Sequence, residues 1–93
     1  MNYTITIKDG GELNPQTLPC HLGDKITWTN QAEADYILML PGCVRPQDGP
    51  VLLGPGDSSR TYTMFENVSS TYQHFRGITP GSTDPPSITY DGG

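Results

Sequence analysis

Short segments in which apolar and polar residues alternate, each closed by glycine or proline, are the feature that most limits how this chain can fold. Tyr3, Ile5 and Ile7 alternate with polar neighbours, and Ile26 and Trp28 repeat the pattern after the next turns. A period of two predicts β-strands with one buried face. No segment of helical length has apolar residues at the spacing of an amphipathic helix. The sequence therefore predicts an all-β protein.

The other apolar segments predict further strands. Leu18, Cys20 and Leu22 share one phase and are all expected to face the core. The nearly continuous apolar run 36–40 is typical of a central strand covered on both sides, and residues 51–53 are expected to turn inward. More strands are expected at 58–64, 71–75 and 87–90. Short strands separated by frequent turns predict a β-sandwich.

Size and charge limit the classes of function. The 93 residues predict a single domain spanning residues 1–93, and we expect it to be monomeric. Ten acidic residues against five Lys and Arg argue against nucleic acid as a partner, because phosphate binding needs a clustered basic surface. A basic partner remains open. No apolar stretch is long enough for a membrane span.

The N-terminal segment and the two cysteines bear on the compartment. Residues 1–8 lack the charged region and apolar run of a signal peptide. We expect a cytoplasmic protein if the chain is complete, and a periplasmic or secreted one if a leader has been removed. Cys20 and Cys43 are then expected as buried thiols in the first case and as a disulfide in the second.

Three segments, taken in order, resemble the cupredoxins, such as plastocyanin and pseudoazurin. Leu-Gly-Asp-Lys-Ile-Thr-Trp-Thr-Asn at 22–30 is similar to the family's second-strand signature, and Gly-Pro-Gly-Asp at 54–57 to the turn before a later strand. The segment 71–90 resembles the ligand strand, ligand loop and final strand. The resemblance covers most of the chain and implies an antiparallel Greek-key β-sandwich.

The resemblance also implies where copper ligands would stand. It places Tyr36 and Thr79 at the two His positions, Arg76 at the Cys position and Asp84 at the Met position. None of the four is a type-1 copper ligand, and no cysteine follows Cys43. We therefore expect no blue-copper electron transfer and no cofactor.

The same four positions are expected to converge at one end of the sandwich. Arg76 and Asp84 would form an ion pair there, with Tyr36 or Thr79 nearby. The alternative is a shallow pocket for a small anion or a peptide end, with Arg76 as the donor. The function expected is a copper-free binding or interaction module whose partner, a protein or a small ligand, is unknown.

A second hypothesis is a metal-binding or redox protein with a ligand set outside the family pattern. Its candidate ligands are His21, His74, Cys20 and Cys43, although their spacing matches no metal motif. His74 is in the inward phase with Tyr72 and could equally be a hydrogen-bonded core histidine, with His21 in solvent. No nucleophile lies in a recognisable catalytic motif, so we do not expect an enzyme.

Overall fold

The computed structural model describes residues 1–92, which form strands and no helix. No helix within that range is therefore available to cross a membrane. The strands, in chain order, are β1 (Asn2–Ile7), β2 (Leu13–Asn14), β3 (Thr17–Cys20), β4 (Lys25–Asn30), β5 (Tyr36–Met39), β6 (Val44–Arg45), β7 (Val51–Leu53), β8 (Tyr62–Met64), β9 (Ser70–Thr71), β10 (Gln73–Arg76), β11 (Thr79–Pro80) and β12 (Ser87–Tyr90).

The strands make two layers. Sheet I has the order β2-β1-β4-β8-β6. The second layer, sheet II, consists of β3-β12-β9 and β11-β10-β5-β7. These two parts are continuous along the chain because only Tyr72 separates β9 from β10. The amide of Tyr72 donates to the carbonyl of Pro86, 2.9 Å away, and so ties the junction to the loop before β12.

The predicted all-β sandwich is confirmed, with one difference in strand direction. Most neighbouring strands are antiparallel, but β1 is parallel to β4 and β3 is parallel to β12. A parallel pair needs a connection that crosses over before it returns. The chain between β1 and β4 does this by passing through β3 in sheet II.

Trp28 lies at the centre of the core and is fully buried, as the sequence predicted. Its ring meets Tyr62 and Tyr72 edge to face, with centroids 5.8 and 5.6 Å apart. The indole N–H donates to the hydroxyl of Tyr72 over 3.1 Å. The one polar atom of the indole is thus satisfied inside the core.

The run 36–40 is covered on one side only, since Met39 is 41% exposed, and two other residues predicted to face inward do not. Leu22 is 51% exposed because β3 ends at Cys20, so the alternation stops before reaching it. Leu52 is 68% exposed, since the period of two in β7 turns its neighbours Val51 and Leu53 inward instead. The expected strand at 58–64 is also shorter, with regular pairing only in β8 and a single bridge at Ser58.

Four loops meet at one end of the sandwich. They are 8–12, 31–35, 54–58 and 77–86, the last of which includes the short strand β11, and we call them together the loop end. The register of β1 with β4 aligns Ile7 with Asn30, and the amide of Asn30 donates to the carbonyl of Asp57 over 2.8 Å. Phe75 is paired with Ile37, so β10 ends where β5 begins.

Candidate functional site

Two aromatic rings occupy the interior of the loop end. Tyr36 opens β5 and His74 lies within β10, and both are almost completely buried. Their ring centroids are 5.7 Å apart. The Nε2–H of His74 donates to the carbonyl of Gly11, whereas Nδ1 is buried with no partner among the described residues. The ring is therefore anchored on one side, to the turn between β1 and β2.

Burial favours the neutral form of His74. Burial lowers the pKa of its imidazole, and the hydrogen bond to Gly11 opposes that shift only in part. The proton of the neutral ring must be on Nε2, because a carbonyl oxygen can only accept. Nδ1 is then a lone-pair acceptor facing no donor, which costs less than a buried charge would.

Two glycines let the loops close over these rings. Gly11 has φ 89°, and a Cβ there would lie 2.9 Å from the Tyr36 hydroxyl. A Cβ at Gly81 would overlap the ring of His74. The backbone can approach both rings only because neither position carries a side chain. This end of the sandwich is thus closed by side chains packed against backbone.

The side chains at this end do not fit a type-1 copper site. That site needs a thiolate and two imidazoles, but the corresponding positions carry the phenol of Tyr36, the guanidinium of Arg76, the hydroxyl of Thr79 and the carboxylate of Asp84. His74 is the one imidazole close by, and one of its nitrogens is already bonded to Gly11. Among residues 1–92, no group of three or more His, Cys, Asp or Glu could hold a metal ion.

The alternative ligand set is not assembled. Cys20 ends β3 at the far end of the sandwich, where its carbonyl accepts from the amide of Asp91. His21 is there too, with Nε2 3.5 Å from the carboxylate of Asp91. Both Cys20 and Cys43 are buried free thiols. Burial raises the pKa of Cys20 to about 11, which keeps it a protonated thiol at neutral pH and a poor ligand.

The four predicted site residues are only partly brought together. Tyr36 and Arg76 line a surface cavity of about 370 Å³, whose other walls are Asp9, Gly10, Ala32, Glu33 and Ala34. Thr79 is paired with Arg76 across the hairpin between β10 and β11, and both are exposed. Asp84 lines a different cavity beside Gln16.

The predicted ion pair between Arg76 and Asp84 is wrong, since none of the ion pairs within residues 1–92 joins them. The tight hairpin at Gly77, with φ 63°, turns the chain back directly after Arg76. The carbonyl of Asp84 then accepts from the side chains of Gln16 and Ser82, each over 2.8 Å. These bonds hold Asp84 over the β2–β3 side of the loop end.

Negative charge is concentrated at the loop end. The acids in its loops are Asp9, Glu12, Glu33, Asp35, Asp57 and Asp84, and the cations in or next to them are Lys8 and Arg76. This leaves −4 of the chain's net charge of −5 at one end of the molecule. Clustered charge of one sign produces a field that attracts oppositely charged partners.

Sequence reasoning identified the inward phase of His74 but not its role in closing the loop end. The role depends on Gly11 and Gly81, which are far from His74 in the sequence or separated from it by a turn. A glycine in a loop is common, and only a close neighbour in space shows that a side chain would not fit there.

Comparison with known proteins identifies the fold. No protein-family model matches the chain, and no curated protein matches it. Among solved structures, it is similar to a purple cupredoxin from Nitrosopumilus maritimus, with 19% identity, 95% of this chain and 98% of the other covered, and a TM-score of 0.68. An oxidised methionine-to-lysine variant of amicyanin gives 13% identity, 97% and 82% coverage, and a TM-score of 0.70. A Cu(I) form of another amicyanin variant gives 14% identity, the same coverage and a TM-score of 0.61.

Sequence identities this low support a shared backbone architecture and nothing more. That architecture agrees over nearly the whole chain. The resemblance first seen in the segments 22–30, 54–57 and 71–90 is confirmed at that level. The chain has the cupredoxin fold.

Proposed function

We propose that this chain is a copper-free binding module of cupredoxin fold, which recognises a basic protein partner and carries out neither electron transfer nor catalysis. The observation that carries the proposal is the closure of the loop end. Tyr36 and His74 pack under Gly11 and Gly81 where the fold would otherwise hold a metal. A site filled in this way stabilises the loops as a fixed surface.

The distribution of charge supports a protein partner over a small anion. Arg76 is the only cation lining its cavity, and Asp9 and Glu33 line the same cavity. A free anion would have to enter a region with a net charge of −4. A basic protein would instead be attracted to it, and charges around an interface chiefly raise the association rate and select the partner.

A first experiment tests the copper-free part of the proposal. Cu(II) is titrated into the protein while the visible spectrum and the heat of binding are recorded, with amicyanin as the positive control. We expect no intense thiolate-to-copper band near roughly 600 nm and no stoichiometric complex, because none of the four loops of the loop end contains a cysteine. A stoichiometric blue complex would refute the proposal.

A second experiment tests the choice of partner. The probe is a decapeptide of alternating lysine and serine, titrated at low and high salt. Neutralising Asp9→Asn with Glu33→Gln should weaken binding several-fold. The matched control, Glu66→Gln with Asp91→Asn, changes the net charge equally at the far end and should have little effect. Equal weakening by both pairs would show that only the total charge matters, which contradicts recognition at the loop end.

A further inference from the structure

The two outer faces of the sandwich differ in chemistry. The outer face of sheet I is polar, and its side chains bond to one another across strands. Lys25 Nζ donates to Thr63 Oγ1 over 2.9 Å, and the hydroxyls of Thr27 and Thr61 are 3.2 Å apart. This is the ordinary composition of a sheet face turned to water.

The outer face of sheet II carries a row of apolar side chains instead. The register pairs Leu52 with Ile37, Ile37 with Phe75, and Phe75 with Pro80, so the row crosses four neighbouring strands. We call these four residues the apolar stripe. Leu52 is 68% exposed, Pro80 is exposed, and the two central residues are partly exposed.

The other outward-facing positions of the same four strands are uncharged as well. Met39, 41% exposed, is paired with Gln73 one step further along the same face. In β5, β7, β10 and β11, all within the described residues, no side chain in the outward phase is charged. An exposed apolar patch of this kind indicates a surface that is covered by another molecule.

The size of the stripe argues against a stable dimer. Four strands at about 4.8 Å spacing give a row on the order of 15 Å long, and two residue rows give a footprint of a few hundred Å². A stable interface buries about 800 Å² on each partner. The stripe therefore has about the size of the apolar centre of an interface. A partner must make its remaining contacts with the residues that surround the stripe, which form its rim.

The rim at the Leu52 end is acidic. The carboxylates of Asp57 and Asp35 come within 3.1 and 3.3 Å of the position that a Cβ on Gly54 would take, directly after β7. Neither carboxylate takes part in an ion pair among residues 1–92. A second copy of the chain would bring the same negative rim against this one, whereas Lys or Arg of a partner would complement it.

We propose that the outer face of sheet II is the docking surface for a basic protein segment, which sets apolar side chains on the apolar stripe and places Lys or Arg at Asp35 and Asp57. The inference rests on the proposed function and specifies the surface that the basic partner uses.

The experiment compares two decapeptides, one of alternating lysine and leucine and one of alternating lysine and serine, by titration into isotope-labelled protein. We expect the lysine–leucine peptide to bind at least ten-fold more tightly and to shift the amide signals of Ile37, Leu52 and Phe75. Leu52→Ser should remove most of this advantage. Val68→Ser is the matched control, since Val68 is also an exposed apolar residue but lies in the loop 65–69 at the far end.

The dependence of peptide binding on salt concentration tests the role of the acidic residues at the rim. Asp35→Asn with Asp57→Asn should flatten the dependence of lysine–leucine binding on salt. Equal affinity for the two peptides, or an unchanged affinity after Leu52→Ser, would overturn the proposed docking surface. The proposed function would not be overturned by that result, because it is tested separately by the comparison of charge-neutralising variants at the loop end and the far end. Concentration-dependent dimerisation abolished by Leu52→Ser would also overturn it, because the occupant would then be a second copy.

Discussion

Gly81 lies against the ring of His74 and has no room for a side chain. Gly81→Ala would add a Cβ that overlaps three atoms of that ring. The ring cannot retreat freely, since Tyr36 packs on it and Gly11 holds its Nε2–H. The added methyl must therefore displace either the loop 77–86 or the imidazole.

The cost follows from the two contacts at risk. Overfilling a well-packed site costs about 1–3 kcal/mol, and losing the hydrogen bond from His74 to Gly11 adds about 0.5–1.5 kcal/mol. We expect Gly81→Ala to lower the free energy of unfolding by roughly 2–4 kcal/mol. In a domain of this size, that is a fall in Tm of about 10–25 °C.

Thermal and urea unfolding followed by circular dichroism measure this loss. The control is Gly49→Ala, because a Cβ at Gly49 would meet nothing within 4 Å; that change should be neutral or slightly stabilising. The Nε2 proton of His74 is buried and bonded to Gly11, so we expect a slowly exchanging signal for it, and that signal should disappear in Gly81→Ala. If Gly81→Ala matches Gly49→Ala in stability and keeps that proton signal, the closed packing described for the loop end is wrong.

Two further predictions concern the core and pH. Trp28→Ala should cost about 3–5 kcal/mol in urea unfolding, because a fully buried ring and its bond to Tyr72 are removed; a native emission spectrum typical of an indole in water would contradict that burial. Stability should fall as the pH drops through 6.5, the ordinary pKa of His74. Burial lowers that pKa in the folded state, so the unfolded state binds more protons below this pH, until the folded pKa is reached. His74→Gln should remove the His74 contribution to the fall, and an unchanged pH profile in that variant would assign the effect to another group.

The strands were predictable where a local pattern was strong. The alternation around Ile5 and Trp28 predicted buried faces, and both residues are buried. The period fails at the ends of short strands, where the chain leaves the sheet and the pairing partner decides the direction of a side chain. Leu22 was misplaced for this reason, whereas Leu52 was misplaced because all of 51–53 was expected to turn inward although the period of two holds in β7.

The candidate site was predictable in position and not in detail. The order of the segments placed Tyr36 and Arg76 at one end of the sandwich, and both line one cavity there. The ion pair of Arg76 with Asp84 could not be judged from order alone, because a loop of that length can lie over either side. Hydrogen bonds from Gln16 and Ser82 to the carbonyl of Asp84 decide its path.

The sequence by itself determined the all-β class and the acidic balance, because periodicity and charge are local properties, and its resemblance to the cupredoxins indicated which residues stand at the ligand positions. The tertiary structure alone decided that Gly11 and Gly81 close over Tyr36 and His74, and that Leu52, Ile37, Phe75 and Pro80 form one row. These are contacts between segments distant along the chain. Their formation depends on strand register and loop path, which the folding of the whole domain sets.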